Sequence, residues 1–227
     1  MAIRQRAIQA KDKLERYDAI LDAAERLLLR SPDRSANMAE VADEAGLAKG
    51  TVYLYFASKE ELLLALLERN IDAFFRALIA LLETAGPVTI DDVWPLTQRH
   101  VIDAPLFLHL ASRCFSMLEH SVTAETAATF GARMSDRLGR AGARLERHFP
   151  ALQPGDGVVL LRQSYALILG LRQMACSIAT PCASRRVGAA TDEQSASVRS
   201  YAQDLDRGLR TLWAGTLRHD AKRAAPS

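Results

Sequence analysis

The chain has no uninterrupted apolar run at its start, because Arg4, Arg6, Lys11, Asp12 and Lys13 break up the first segment. That argues against a signal peptide or a membrane span there, so a cytoplasmic protein with no membrane role is expected. An excess of one sign of charge is also lacking. The formal net charge is only +2 over 227 residues, so any affinity for nucleic acid must come from local placement of basic groups. Cysteine is rare and odd in number: Cys114, Cys176 and Cys182 are widely spaced and form no metal-ligand pair. Reduced structural thiols fit that pattern better than a disulfide framework, with a redox sensor as the alternative. A Gly-rich phosphate loop, a nucleophile–base pairing and a paired-Cys cluster are all missing. His109 and His120 fall on one helix face but about 16 Å apart along it, too far to share an ion. Neither catalysis, a metal centre nor a cofactor is therefore expected.

What is present is apolar surface at helical spacing. With 49% of its residues hydrophobic the chain can bury a genuine core. Apolar positions recur at three and four residues and alternating β-branched runs are absent, so the fold class is all-α. Tyr17, Ile20, Leu21, Ala24, Leu27 and Leu28 mark a first helix, stopped by Ser31-Pro32. Asn37 and Glu40 form a capping-box pattern for a second helix of barely two turns, ended by Gly46 with Leu47 as the following apolar contact. A third short helix runs from about Lys49 to Phe56. Ser58 and Glu61 repeat the capping pattern ahead of a long helix that reaches Gly86-Pro87. Further helices are expected over about 89–103, through Phe107 to Leu118, along the stripe Phe130 to Phe149, from Val158 to Ala179, and through Val198 to Leu212. The stretch from Pro181 to Ser197 reads as a polar loop, and the chain beyond Leu217 as a fraying tail.

Two short helices joined by a tight turn, with a longer one before them, match the helix-turn-helix arrangement, whose second short helix enters the major groove. If Val52 and Phe56 point inward, then Gly50 and Leu54 project outward, with Thr51, Tyr53 and Tyr55 on the flanks. An outward Leu beside two tyrosines is an odd face for solvent and a reasonable one for DNA. Gly lets backbone approach backbone, Tyr and Thr hydroxyls can hold phosphates, and Leu can touch a thymine methyl. Lys59, at a helix end where the macrodipole disfavours a cation, adds a candidate phosphate contact. The bland alternative is that the tyrosines pack on the larger domain and Lys59 is a solvated charge.

The segment Met38–Leu63, MAEVADEAGLAKGTVYLYFASKEELL, resembles the DNA-binding region of the tetracycline-repressor (TetR) family, with the likeness extending over residues 14–66. Gly46, Lys49-Gly50-Thr51, Tyr53, Tyr55-Phe56 and Ser58-Lys59-Glu60 all fall in register. The resemblance implies an N-terminal three-helix helix-turn-helix domain followed by a larger helical ligand-binding and dimerisation domain. The expected division is a flexible basic arm over 1–13, the DNA-binding domain over 14–60, the larger domain over 61–217 and a flexible tail over 218–227. It also implies a homodimer on a palindromic double-stranded DNA operator, acting as a repressor and released by a small, largely apolar effector. Asn37, Lys49, Gly50, Thr51, Tyr53, Leu54, Tyr55 and Lys59 become the DNA-contacting set. The basic arm either reaches DNA or serves as a solubilising tail. Two departures stand out: Ala48 where the family commonly has Ser or Thr, and Leu54 where it often has Tyr or His.

For the effector, bulky apolar residues interrupted by a few polar ones are Trp94, Phe107, Arg113, Cys114, Met117, Phe130, Met134, Gln163 and Tyr165. An inward Arg113 or Arg162 would favour an anionic group on the ligand. For the dimer, the resemblance points to the last two helices, giving Leu167, Gly170, Leu171, Met174, Leu205, Leu209, Leu212 and Trp213, with packing inside one chain as the alternative. A DNA-binding protein that answers to a partner or to thiol oxidation, with no ligand, is the competing reading.

Overall fold

The computed structural model describes residues 2–30, 37–84, 86, 88–179 and 192–223, with side chains described for 11–30, 37–84, 86, 88–175 and 199–217. The side chains of Arg4, Arg6, Cys176, Cys182 and Val198, together with residues 224–227, lie outside that set. The elements are α1 (Ala2–Arg30), α2 (Met38–Ala45), α3 (Lys49–Tyr53), α4 (Lys59–Leu82), α5 (Ile90–Thr97) with a π-helical continuation (Gln98–Ile102), α6 (Phe107–His120), α7 (Ala124–His148), α8 (Asp156–Ala179) and α9 (Asp192–Arg223). No strand occurs among the described residues, and the expected all-α architecture holds.

Two ends of that architecture differ from expectation. Residues 2–13, expected as a flexible arm, are the first turns of α1. Ala, Arg, Gln and Lys are good helix formers, no Gly or Pro interrupts them, and Lys11 pairs with Glu15 one turn on at 3.6 Å. At the other end α9 begins inside the stretch expected as a loop and runs past Leu217 to Arg223, into the expected tail.

Local chemistry sets the short helices. The Asn37 side chain accepts from the Ala39 and Glu40 amides at 2.9 Å each, while Glu40 accepts from the Asn37 amide at 3.3 Å. At the far end Gly46 takes a left-handed φ of 67°. The Gly46 amide bonds the Asp43 carbonyl at 3.1 Å and the Leu47 amide bonds that of Ala42 at 2.9 Å, the paired bonds of a Schellman stop. In α5 the internal Pro95 lacks an N–H, and the helix loosens after it into the π turn, closed by the Asp103 amide on the Gln98 carbonyl at 2.8 Å.

α4 is the common wall. It packs on α1 at one end and on α5, α6 and α7 further along, with Leu62, Leu66, Leu67, Ile71, Leu78 and Leu82 buried. α8 lies between α7 and α9. It meets α7 almost backbone to backbone: a Cβ on Gly142 would stand 2.8 Å from the Val158 nitrogen, and one on Gly157 would run into the Gly142 carbonyl. Gly157→Ala should therefore destabilise the protein by about 1–3 kcal/mol. Gly131→Ala, at an exposed mid-helix site with nothing within 4 Å, should stabilise it by about 0.5–1 kcal/mol. Thermal melts of the two variants measure both, and equal melting temperatures would contradict the close-approach argument.

Candidate nucleic-acid interface and ligand cavity

α3 is oriented as its spacing predicts. Val52 and Phe56 are buried, and the Phe56 ring stacks at a tilt on Tyr17 of α1, centroids 5.1 Å apart. Leu54 is 84% exposed and Tyr53 45%, with Lys49 and Gly50 open beside them. The Lys49 ammonium lies over the Tyr53 ring at 5.9 Å. Thr51, Tyr55 and Lys59 are half-buried at the flanks, Tyr55 against the core. The helix is shorter than expected: it ends at Tyr53, and Leu54–Phe56 follow as a turn that keeps the Phe56 amide on the Val52 carbonyl at 3.1 Å. Asn37 is exposed, and its oxygen is committed to capping α2. Ser58 accepts from the Glu61 amide at 3.1 Å, whereas Glu61 turns back to the Ala57 amide at 2.9 Å, one residue earlier than a capping box requires.

Ion pairs brace this unit and fasten it to α4. Arg26 and Arg30 of α1 hold Glu44 of α2, and their hydrogen bonds, Arg30 foremost, lower the Glu44 pKa. Arg69 of α4 reaches Asp22 and Glu25 of α1, each at 2.5 Å. A second set joins α4 to α7. Arg137, buried, donates to Glu68 at 2.7 Å and Asp72 at 2.5 Å, and Arg133 meets the same Glu68 at 3.1 Å. Burial opposes the Arg137 charge, but Asp72 and Glu68 outweigh it and raise its pKa. Burial foremost, then the Glu68 charge, pushes up the Tyr17 phenol. These residues were missed in the sequence, although arginines at 133, 137, 140, 144 and 147 repeat at helical spacing and signalled a charged face.

Beyond this seam lies a cavity of about 130 Å³ with an almost wholly apolar wall. Ile71, Phe74, Phe75 and Leu78 of α4 form one side and Met134 and Leu138 of α7 another; α5, α6, α8 and α9 complete it. Its polar groups are mostly committed elsewhere: Thr97 donates to the Val93 carbonyl, and Ser164 donates to the Leu160 carbonyl while accepting from the Trp213 indole at 3.1 Å. Burial foremost pushes the Tyr165 phenol to about 12. Of the expected ligand residues, Phe107, Met134 and Tyr165 line the cavity. Trp94, Arg113, Cys114, Met117, Phe130 and Gln163 do not, which corrects that set. Arg113 and Gln163 sit on outward faces of α6 and α8, Cys114 and Met117 are packed into the core, Trp94 is half-buried against it, and Phe130 faces the α1–α4 junction. Arg162 does line the cavity while remaining exposed overall. Burial lifts the Cys114 thiol to about 11, which disfavours the thiolate that redox sensing needs.

The dimer set also needs correction. Leu205, Leu209 and Trp213 are buried within their own chain, and Leu167, Leu171 and Leu212 are half-buried. α9 lies tight on α8: a Cβ on Gly208 would come within 2.8 Å of Leu167, and the Tyr201 hydroxyl donates to the Ile168 carbonyl at 3.2 Å. Only Gly170 and Met174 of the eight are exposed, on the outer face of α8 with Val159, Gln163 and Ala166. Among the described residues no group of three metal-ligating side chains is placed to hold an ion, and no single helix is long and apolar enough to cross a membrane.

Residues 20–66 match the family of bacterial regulatory proteins named tetR, and residues 68–220 match the tetracyclin repressor-like C-terminal domain. The chain belongs to the TetR family. It is 34% identical over 64 residues to the fatty acid metabolism regulator protein of Bacillus subtilis (28% of this chain, 33% of that protein). It is 36% identical over 80 residues to the regulator EthR of Mycobacterium tuberculosis (35% and 37%), so the matches span about a third of these relatives' lengths. A similar length of chain, 58 residues at 41% identity, matches the transcriptional activator FasR of Mycolicibacterium smegmatis (26% of each). A crystal structure from Mesorhizobium loti described as a TetR-family transcriptional regulator shares the fold, with a TM-score of 0.52 at 18% identity, over 88% of this chain and 96% of that one. TetR proteins are DNA-binding regulators and not enzymes.

Within the TetR frame, the departure at position 48 has a structural counterpart. Ala48 holds the extended N-cap backbone of α3, φ −65° and ψ 141°, with no side-chain hydrogen bond. Ala48→Ser should supply that bond and stabilise the protein by about 0.5–2 kcal/mol. A denaturant midpoint that does not rise would show that α3 is already held as well as a cap can hold it.

Proposed function

We propose that the chain is a homodimeric, ligand-responsive repressor of the cytoplasm. It binds a palindromic operator through the outer face of α3 and is released when a small, largely apolar effector fills the cavity. One observation carries this reading: the cavity and the helix-turn-helix unit share α4. Its first turns pack on α1, and Ile71, Phe74, Phe75 and Leu78 farther along wall the cavity. An occupant that favours one position of α4 biases the spacing of the two recognition helices, which must match successive major grooves. The volume resembles the roughly 150 Å³ apolar cavity that takes benzene, so a ring-sized ligand fits without dilation. Partner contact is assigned to the outer face of α8, with Val159, Gly170 and Met174, because Leu205, Leu209 and Trp213 already serve the core. The cavity and the buried Cys114 both weigh against response to thiol oxidation without a ligand.

The reading is tested on an operator duplex from the DNA beside the chain's own coding region. Affinity should fall when ring-sized apolar compounds that raise the melting temperature are added; persistent tight binding at saturation contradicts release. Lys59→Ala should weaken binding across sequences and reduce the salt slope by about one. Leu54→Ala should relax preference at one base position and change stability by less than about 0.5 kcal/mol, against about 3–5 kcal/mol for Phe56→Ala. Equal losses of stability in the last two would reverse the assigned DNA face.

A further inference from the structure

α7 presents Arg133, Arg137, Arg140, Arg144 and Arg147 on one face, at alternating spacings of four and three. The facing side of α4 answers with Glu68, Asp72 and Glu83. Between Asp72 and Glu83, where a further carboxylate would complete the pattern, α4 instead carries Arg76. Arg76 is exposed and, among the described residues, has no ion pair or hydrogen bond. Around it lies a groove of about 220 Å³ whose wall includes Arg137, Arg140 and Arg144 of α7 together with Asp72, Arg76 and Glu83 of α4.

Four guanidinium groups and two carboxylates line that groove, and Glu68 and Asp136 beside it pair with Arg137 and Arg140, so that Arg76 is the guanidinium left without a carboxylate. Arg144 is paired with Glu83 at 2.8 Å and Arg137 with Asp72 at 2.5 Å. Arg140 has only Asp136 of its own helix, at 3.0 Å with both side chains more than half exposed, a pair that water weakens. Arg137, which also lines the groove, is only 8% exposed and keeps Nη1 without a hydrogen-bond partner, a donor that an unseen water or ion is one way to satisfy.

We infer that this groove between α4 and α7 is a second ligand site, taking a phosphoryl dianion either free or carried by a small metabolite. A phosphoryl group offers negative charge to the unpaired Arg76 and the weakly paired Arg140, and several acceptor oxygens that planar guanidinium forks can share. It would draw Arg76 of α4 toward Arg140 of α7, relieving their like charge. Phosphates of operator DNA are not the occupant. Arg76 lies about 25 Å along α4 from Lys59, at the helix-turn-helix end. The inference stands whether or not the apolar cavity holds an effector.

The test is calorimetry and thermal melting of the full chain with inorganic phosphate, inorganic pyrophosphate, phenyl phosphate and citrate, each at constant ionic strength. Phosphoryl compounds should bind and raise the melting temperature, with stronger binding of phenyl phosphate than of inorganic phosphate marking a carried group and the reverse a free one. Arg76→Gln should weaken that binding by about tenfold or more. Arg76→Glu, which supplies the missing carboxylate, should raise the melting temperature without any anion and abolish the response to one. No binding by wild type, an unchanged affinity in Arg76→Gln, or an equal response to citrate would overturn the inference.

Discussion

A guanidinium buried between two carboxylates holds α4 to α7, and most of what this protein can do depends on where α4 lies. Taking Arg137 and Glu68 out of water is costly, and their attraction offsets that cost only in good geometry. Such a cluster therefore discriminates among registers more than it adds net stability. Glu68 and Asp72 stand one turn apart on α4, so a slide of α4 by one turn, about 5.4 Å, would bring one carboxylate into the other's place and leave Arg137 a single partner. Leaving a buried charge of this cluster unpaired costs about 3–5 kcal/mol. Arg69, one residue beyond Glu68, performs the matching task toward α1. Adjacent residues thus fasten α4 to the DNA-reading unit and to the larger domain.

Much of the fold was legible because amphipathic periodicity and caps are local. Asn37, Gly46 and Leu47 announced α2 and its stop, and the four-residue spacing of Val52 and Phe56 correctly gave the inner side of α3. The ends of α1 and α9 were not legible in the same way. Polar, helix-favouring sequence without an apolar stripe reads as loop or tail, and whether it continues a helix depends on the helix it adjoins.

The ligand and dimer residues were read less well, for a physical reason. A bulky apolar residue in an all-helical domain can face a cavity, a partner chain or its own core, and composition does not separate these. Leu209 and Trp213, expected at a subunit interface, instead wall the cavity from α9. Phe130, expected in the cavity, lies at the junction with Tyr17 and Phe56. The charged seam escaped notice because pairing across helices depends on their relative register.

The contact of Gly142 with Gly157 bears on how the cavity can respond to an occupant. Where α7 and α8 touch backbone to backbone there is no side-chain layer to compress, so Met134, Leu138, Leu161 and Tyr165 belong to a stiff half of the wall. The opposite half is built on α4, on α5 with its proline, and on the π turn, where helical bonding is already irregular. Swelling is thus directional: a guest too large for the resting volume displaces α5 and the π turn first and leaves the α7–α8 pair, with α4 pinned to it, in place.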